Sequence, residues 1–317
     1  MREIRKKNVC VVGGAGFLGS HLVNHLIEDR KCKVLVLDNL IAGQKKFIHP
    51  KASFEWCDIT HSESELRKFF EKYKIDYVFN YAASPYIPVS FERPIHVFDL
   101  NARGALMVMN ASQEAGVKGI LQVSSAEIYG DAPNHKIDEN YPARPHSTYG
   151  ASKLAIDALV QARWKEAKTP CIALRQFNCV GERETHEYII PVIIDQISKT
   201  GNYIKLGNNS FRDFQYAGDA VRMAVELLEK GQFGEVYNMG SEEGVKMYDL
   251  ANMISMLMTG KKVDIEVDES RVRPWEIWHL QSDNTKIYSV IDYRPQVTLE
   301  DALKLTINDY QQNGWCY

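Results

Sequence analysis

The stretch Asn8-Val9-Cys10-Val11-Val12-Gly13-Gly14-Ala15-Gly16-Phe17-Leu18-Gly19-Ser20 decides the fold. Its first five residues read as a short apolar strand, glycines follow at once, and residues 20–28 then place apolar side chains at helical spacing. A strand that passes through a glycine turn into a helix is the start of a βα unit whose turn can hold a phosphate. Gly13 permits the tight turn, Gly16 lets backbone approach a pyrophosphate, and Gly19 lets the helix pack on the strand. The helix N-terminus adds unpaired N–H groups and the positive end of its dipole. Phe17 and Leu18 lie inside this turn and count with it as cofactor-binding. Asp38 ends the apolar run Val34-Leu35-Val36-Leu37, about 20 residues on, where a carboxylate can accept both hydroxyls of an adenosine ribose. Its charge would repel a 2′-phosphate, so NAD is expected rather than NADP, with Asn39 beside it.

Outward from this unit, strands alternate with amphipathic helices. Residues 33–37, 54–57, 77–80, 119–124 and 171–177 read as further strands, and residues 62–73 and 102–115 as helices between them. The implied fold class is α/β, a Rossmann-type doubly wound parallel sheet with a smaller C-terminal α/β lobe. The expected division is a dinucleotide-binding domain over residues 1–178, joined by returning segments near 212–240, and a substrate-binding lobe formed mainly by residues 179–317.

A chain of 317 residues is long enough for about two folding units. Hydrophobic residues make up 45% and charged residues 25%, which excludes a disordered or collagenous chain. A net charge of −3 gives no reason to expect nucleic acid as a partner. No apolar run approaches the roughly 18–20 residues that cross a bilayer, so no membrane partner is expected. The six cysteines Cys10, Cys32, Cys57, Cys171, Cys179 and Cys316 are scattered without metal-ligand spacing. They read as free thiols of a cytoplasmic protein with no metal site.

Tyr149 and Lys153 stand four apart in Ser147-Thr148-Tyr149-Gly150-Ala151-Ser152-Lys153, which puts both on one face of a helix. A phenol ordinarily titrates near 10. A neighbouring ammonium and a positive nicotinamide both favour phenolate, so Tyr149 can serve as a base near neutral pH. Ser124 and Ser125 end a strand between the glycine turn and this pair.

Together, the glycine turn, Asp38, Ala82-Ala83, Asn101, Ser124-Ser125-Ala126-Glu127-Ile128-Tyr129-Gly130 and Tyr149-x-x-x-Lys153 resemble the extended short-chain dehydrogenase/reductases. Leu174-Arg175-Gln176-Phe177-Asn178-Cys179-Val180-Gly181, Arg212-Asp213-Phe214, Arg271-Val272-Arg273-Pro274 and Tyr237-Asn238-Met239-Gly240 narrow the likeness to the nucleotide-sugar epimerase and dehydratase branch. The resemblance implies that Asn178, Arg212 and Arg273 contact the diphosphate of a nucleotide sugar, a role suited to the guanidinium fork. It also implies that Asp58 and Ile59 border the adenine, that Ala82, Ala83 and Ser124 line the cofactor cleft, and that Asn101 sits on its nicotinamide side. A homodimer formed through residues 102–115 and 149–165 is expected from the same likeness. The chain departs from the family at Val12, where Thr is common, and at Asn80, where His is frequent.

The branch shares a first step in which Tyr149 removes the proton of the sugar 4-hydroxyl, Ser125 holds that oxygen, and hydride leaves C4 for NAD. The resulting 4-keto sugar has an acidified C5 proton. Glu127 can remove it and expel the C6 hydroxyl, which is the outcome of an NDP-hexose 4,6-dehydratase and is the expectation here. The dTDP-glucose type carries Asp and then Glu after the hydroxyl residue, whereas this chain has Ala126 and then Glu127. A 4-epimerase, a UDP-glucuronate decarboxylase and a non-catalytic NAD-binding sensor are the alternatives, and Glu127 is then a structural residue of its loop. Residues 182–188 either line the sugar or base pocket or form a solvated helix start capped by Thr185. Trp275 and Trp278 either stack on a base or anchor the C-terminal lobe.

Overall fold

A computed structural model describes residues 2–130, 132, 135–272 and 275–315. The chain runs through β1 (Asn8–Val12), α1 (Phe17–Glu28), β2 (Lys33–Asp38), β3 (Ser53–Trp56), α2 (Glu63–Lys72) and β4 (Tyr77–Asn80). Two short helices, α3 (Ile87–Glu92) and α4 (Pro94–Phe98), lead into α5 (Gly104–Glu114), β5 (Gly119–Ser125), α6 (Thr148–Ala167) and β6 (Cys171–Gln176). Then come β7 (Asn178–Val180), α7 (Ile189–Thr200), β8 (Tyr203–Leu206), β9 (Phe211–Tyr216), α8 (Ala217–Lys230) and β10 (Val236–Met239). The chain closes with β11 (Gly244–Lys246), α9 (Met247–Thr259), β12 (Asp264–Val267), β13 (His279–Leu280), α10 (Thr285–Tyr288) and α11 (Leu299–Asn313).

Seven parallel strands form the large sheet in the order β3-β2-β1-β4-β5-β6-β10. In β1 the side chains alternate between the faces, Val9 and Val11 to one and Cys10 and Val12 to the other. The first face is covered by α1 and α8 through Leu22, Leu26, Ala224 and Leu228. The second is covered by α2, α5 and α6 through Leu66, Phe70, Val108 and Val160. With both faces buried, the inner strands β1, β2 and β4 are mostly apolar, which explains why their positions show in the sequence. A separate cluster joins α7, β8, α9 and α11 through Ile193, Ile204, Leu250 and Leu303.

The sheet reverses its direction of growth at β1, which pairs β2 on one side and β4 on the other. A crevice opens outside the carboxyl ends of the strands at such a point, and this is where open α/β sheets bind ligands. The glycine turn leaves β1 there, Ala82-Ala83 follow β4, and Ser124-Ser125 end β5.

The expected helix over residues 102–115 begins earlier and differently. Asp99–Arg103 form one wide π turn before α5. That turn swings Asn101 inward, where it is 1% exposed.

Candidate active site

The glycine turn has the geometry its spacing implies. Gly13 adopts φ +77°, and a Cβ there would lie 2.6 Å from the Ala82 amide nitrogen. A Cβ on Gly19 would collide with the Gly13 carbonyl, whereas one on Gly16 would meet only the Gly13 oxygen at 3.4 Å. Gly13 and Gly19 are therefore demanded by the chain itself, while Gly16 is free of such demand and faces the crevice. Helix α1 starts at the Gly16 cap with no side-chain capping bond and no acidic residue in its first turn. Its first N–H groups and dipole are left for an anion.

Asp38 is 8% exposed, and its two oxygens accept the Ala15 and Leu40 amides at 2.9 and 2.8 Å. Burial pushes this carboxyl up while the two amides hold it down. Each oxygen thus already takes one backbone bond and offers its remaining lone pair. Asn39 donates to Asp58 at 3.1 Å, and Asp58 also accepts the Thr60 amide and hydroxyl. Asn39 and Ile59 line the cavity, and Asp58 braces Asn39 from outside the lining.

Ser147 caps α6 by accepting the Gly150 amide at 3.0 Å, which sets Tyr149 in the first turn and Lys153 one turn on. Both are buried, at 8% and 3% exposure. The Lys153 ammonium donates to the Val123 carbonyl at 2.8 Å and lies 5.9 Å from the centre of the Tyr149 ring. Burial pushes the Tyr149 phenol up to about 12; a hydrogen bond with Ser125 opposes this and the Glu127 charge adds to it. Burial lowers Lys153 to about 8, against the pull of Asp157. Ser124 donates to the Lys153 carbonyl at 3.1 Å, and Ser125 accepts the Glu127 amide at 3.2 Å at the start of a tight turn over Ala126–Tyr129.

Tyr149, Lys153, Ser124, Ser125, Ala126 and Glu127 share one cavity of about 490 Å³ with the glycine turn, Phe17, Leu18, Asp38, Ala82 and Ala83. Asn101 stands behind its wall, accepting the Ser84 amide at 2.8 Å and donating to Ser152 at 3.0 Å. Asn80 donates to Gln122 at 2.8 Å and accepts the Ala82 amide at 3.1 Å, so it shapes the turn carrying Ala82. Among the described residues, no helix is long and apolar enough to cross a membrane.

The cavity continues past Asn178 to Arg212. The Arg212 guanidinium donates to Glu276 at 3.0 Å, and Asn208 donates to the other Glu276 oxygen at 2.8 Å. Arg273 lies outside the described residues. Residues 182–188 form a loop along the cavity rather than a capped helix start, since α7 begins at Ile189 after Tyr188 with no side-chain cap. The loop is tied down at its start, where His21 Nε2 lies 2.9 Å from the Glu182 carbonyl and the Arg183 amide donates to Asp309 at 2.9 Å. Its His186 and Tyr188 rings meet Tyr86 at 5.8 and 6.1 Å. Tyr86 and Glu276 are cavity residues that sequence reading missed, whereas Glu184 belongs to the segment that it placed at the pocket as one of two alternatives. The charge density of 182–188 was a signal for Glu184, whereas nothing local marks Tyr86 or Glu276.

The family model described as GDP-mannose 4,6 dehydratase matches residues 10–306 of this chain. The chain belongs to that family. Its relatives are extended short-chain dehydrogenase/reductases that act as nucleotide-sugar dehydratases and epimerases. A dTDP-D-glucose 4,6-dehydratase of Mus musculus is 31% identical over 318 residues, covering 97% of this chain and 89% of the mouse protein. A UDP-glucose 4-epimerase from Thermotoga maritima, solved with UDP-glucose, superposes with a TM-score of 0.88 at 27% identity, covering 96% of this chain and 99% of its own. A dTDP-glucose 4,6-dehydratase from Streptomyces venezuelae, solved with NAD, gives a TM-score of 0.87 at 25% identity, covering 96% and 97%. Both chemistries thus occur on this family's scaffold over nearly the full length of this chain.

Proposed function

We propose that this family member is an NAD-dependent NDP-hexose 4,6-dehydratase working through a 4-keto hexose. The observation that carries the reading is Glu127, on the cavity wall next to Ser125 and close enough to Tyr149 for its charge to act on the phenol. The cofactor fits the chain's own geometry: Gly13 and Gly19 close the turn, Gly16 leaves room for backbone to meet a pyrophosphate, and α1 presents uncapped N–H groups. Asp38 and Asn39 would receive the ribose end, with Ile59 beside the adenine. When bound, NAD would supply the acceptor and then the donor of the hydride, and the positive charge of its nicotinamide would favour the phenolate.

Tyr149 takes the proton of the 4-hydroxyl, and Ser125, hydrogen-bonded to that phenol, holds the oxygen as it becomes a carbonyl. The Lys153 ammonium stabilises the phenolate across the 5.9 Å to its ring. Glu127 then removes the C5 proton, the C5=C6 double bond forms as the C6–O bond breaks, and the hydroxyl takes that proton from Glu127 and departs as water, after which hydride returned to C6 and a solvent proton at C5 complete the 4-keto-6-deoxy sugar. Asn178 and Arg212 hold the diphosphate, with Arg273 as a third group. In this arrangement residues 1–178 with 212–240 hold the dinucleotide, and 179–317 mainly hold the nucleotide sugar.

Ala126, 2% exposed, lies on the cavity wall where a second acid would stand, so a 4-epimerase, which needs no C5 base, is the alternative outcome of the same first step. The Glu127→Gln protein separates the two, because it stops water loss in a dehydratase and leaves an epimerase turning over. A homodimer through the α5 and α6 face is supported by the exposed Ile95 and Phe98 at the helices that lead into α5. A reducing, cytoplasmic compartment is supported by the free thiols of Cys10, Cys32, Cys57, Cys171 and Cys179.

A further inference from the structure

The loop over residues 182–188 carries a carboxyl that the proposed chemistry does not use. Glu184 is 2% exposed yet lies on the wall of the cavity that holds Tyr149. Its Oε1 has no hydrogen-bond partner among the described residues, while the carboxyl accepts the Gly181 amide. A buried polar oxygen left without a partner is uncommon in a folded chain, and on a cavity wall it marks a place where a ligand supplies the missing bond.

The surroundings define what that ligand offers. Burial pushes the Glu184 carboxyl well above the usual carboxylate range, opposed by the Gly181 amide. The Cys179 thiol and Tyr188 phenol, on which Glu184 acts electrostatically, are pushed up by burial in turn and stay neutral. Burial thus favours the protonated form of Glu184, which has one O–H to donate, in a setting that suits a neutral oxygen. Tyr188 couples electrostatically to Tyr149 as well as to Glu184, which gives the carboxyl and Tyr149 a common neighbour at one end of the cavity they both line. A hexose brings neutral hydroxyls to that end, and a site that hydrogen-bonds a substrate hydroxyl discriminates strongly against compounds lacking it.

We propose that Glu184 donates a hydrogen bond to a hydroxyl of the hexose and is a specificity-determining residue of the sugar pocket. The proposal rests on the reading of this cavity as a nucleotide-sugar site. The dinucleotide's carboxamide oxygen is the other neutral acceptor that could reach this end, and the test separates the two.

The test measures dissociation constants of the NAD-loaded protein for dTDP-glucose against dTDP, UDP-glucose against UDP, and GDP-mannose against GDP, in wild type, Glu184→Gln and Glu184→Ala. In at least one pair the wild type should bind the hexosyl compound more tightly than the bare diphosphate. Glu184→Ala should remove about tenfold of that preference while the diphosphate affinity and NAD retention stay unchanged, and Glu184→Gln, which keeps an N–H donor, should retain most of it. A preference that survives Glu184→Ala overturns the proposal and leaves the sugar-site reading standing. Equal losses for hexosyl compound and diphosphate, or loss of retained NAD, also overturn it, the latter assigning the carboxyl to the cofactor. A wild type with no preference in any pair removes the sugar-site reading and this proposal with it.

Discussion

The Lys153 ammonium donates to the Val123 carbonyl at 2.8 Å and lies 5.9 Å from the centre of the Tyr149 ring. The lysine is thus fixed by backbone of β5 rather than by the phenol it serves. Its influence on Tyr149 is electrostatic, and it can act without moving. Removing the phenolic oxygen should therefore abolish proton transfer and leave the cofactor site in place. Tyr149→Phe is expected to lower turnover of a nucleotide hexose by at least about 10²–10⁴-fold, with NAD retained on purification. Turnover near the wild-type rate would contradict the assignment of the base.

Lys153→Met should lose activity but gain stability at pH 7. Burial lowers the ammonium from 10.5 to about 8, so the unfolded chain binds more protons between those values and stability rises with pH there. Below about pH 8 the folded state carries the whole cost, about 3 kcal/mol as an upper figure, against which the lost bond to Val123 counts about 1 kcal/mol. Denaturant unfolding should show the variant more stable by on the order of 1–2 kcal/mol at pH 7, with the gap closing towards pH 10. A variant less stable at pH 7 would show that the buried charge is better compensated than this.

Gly16→Ala and Gly13→Ala should behave differently. A Cβ on Gly16 meets one oxygen at 3.4 Å, whereas one on Gly13 demands φ +77° and lies 2.6 Å from backbone. The Gly16 variant is expected to fold with little loss of stability and to bind NAD about tenfold or more weakly, because the methyl occupies the approach to the pyrophosphate. The Gly13 variant should unfold more easily, from a left-handed penalty of about 1–2 kcal/mol before any clash. Thermal melts with and without NAD distinguish them.

Arg212→Ala should weaken binding of a nucleoside diphosphate and also destabilise the fold, since it strands Glu276, whose side chain is only 8% exposed. Losing one partner of such a pair costs about 3–5 kcal/mol. Adding Glu276→Gln should restore stability without restoring affinity. Recovery of both would place the diphosphate elsewhere.

Much of the large sheet was legible because its inner strands are buried on both faces. Asn8–Val12 and Tyr77–Asn80 appear at the residues their apolar runs mark, and the glycine turn and the Tyr149/Lys153 spacing carry their geometry locally. The rest depends on distant contacts. Nothing near Glu276 in sequence shows that it will meet Arg212, 64 positions away. Nothing near Asn101 shows that a π turn will draw it behind the wall to Ser84 and Ser152. The segment 182–188 reads equally as a pocket wall or as a helix start capped by Thr185, and contacts of Glu182 with His21 and of Arg183 with Asp309 decide for the loop along the cavity, the helix starting four residues after Thr185.

The most direct test incubates the protein with dTDP-, UDP-, GDP- and CDP-hexoses in deuterated water and follows products by mass spectrometry and proton NMR. The proposed 4,6-dehydratase chemistry gives loss of water with deuterium at C5, absent in Glu127→Gln. A sugar of unchanged mass, inverted at C4 and free of deuterium, would contradict it and make Glu127 a structural residue of its loop.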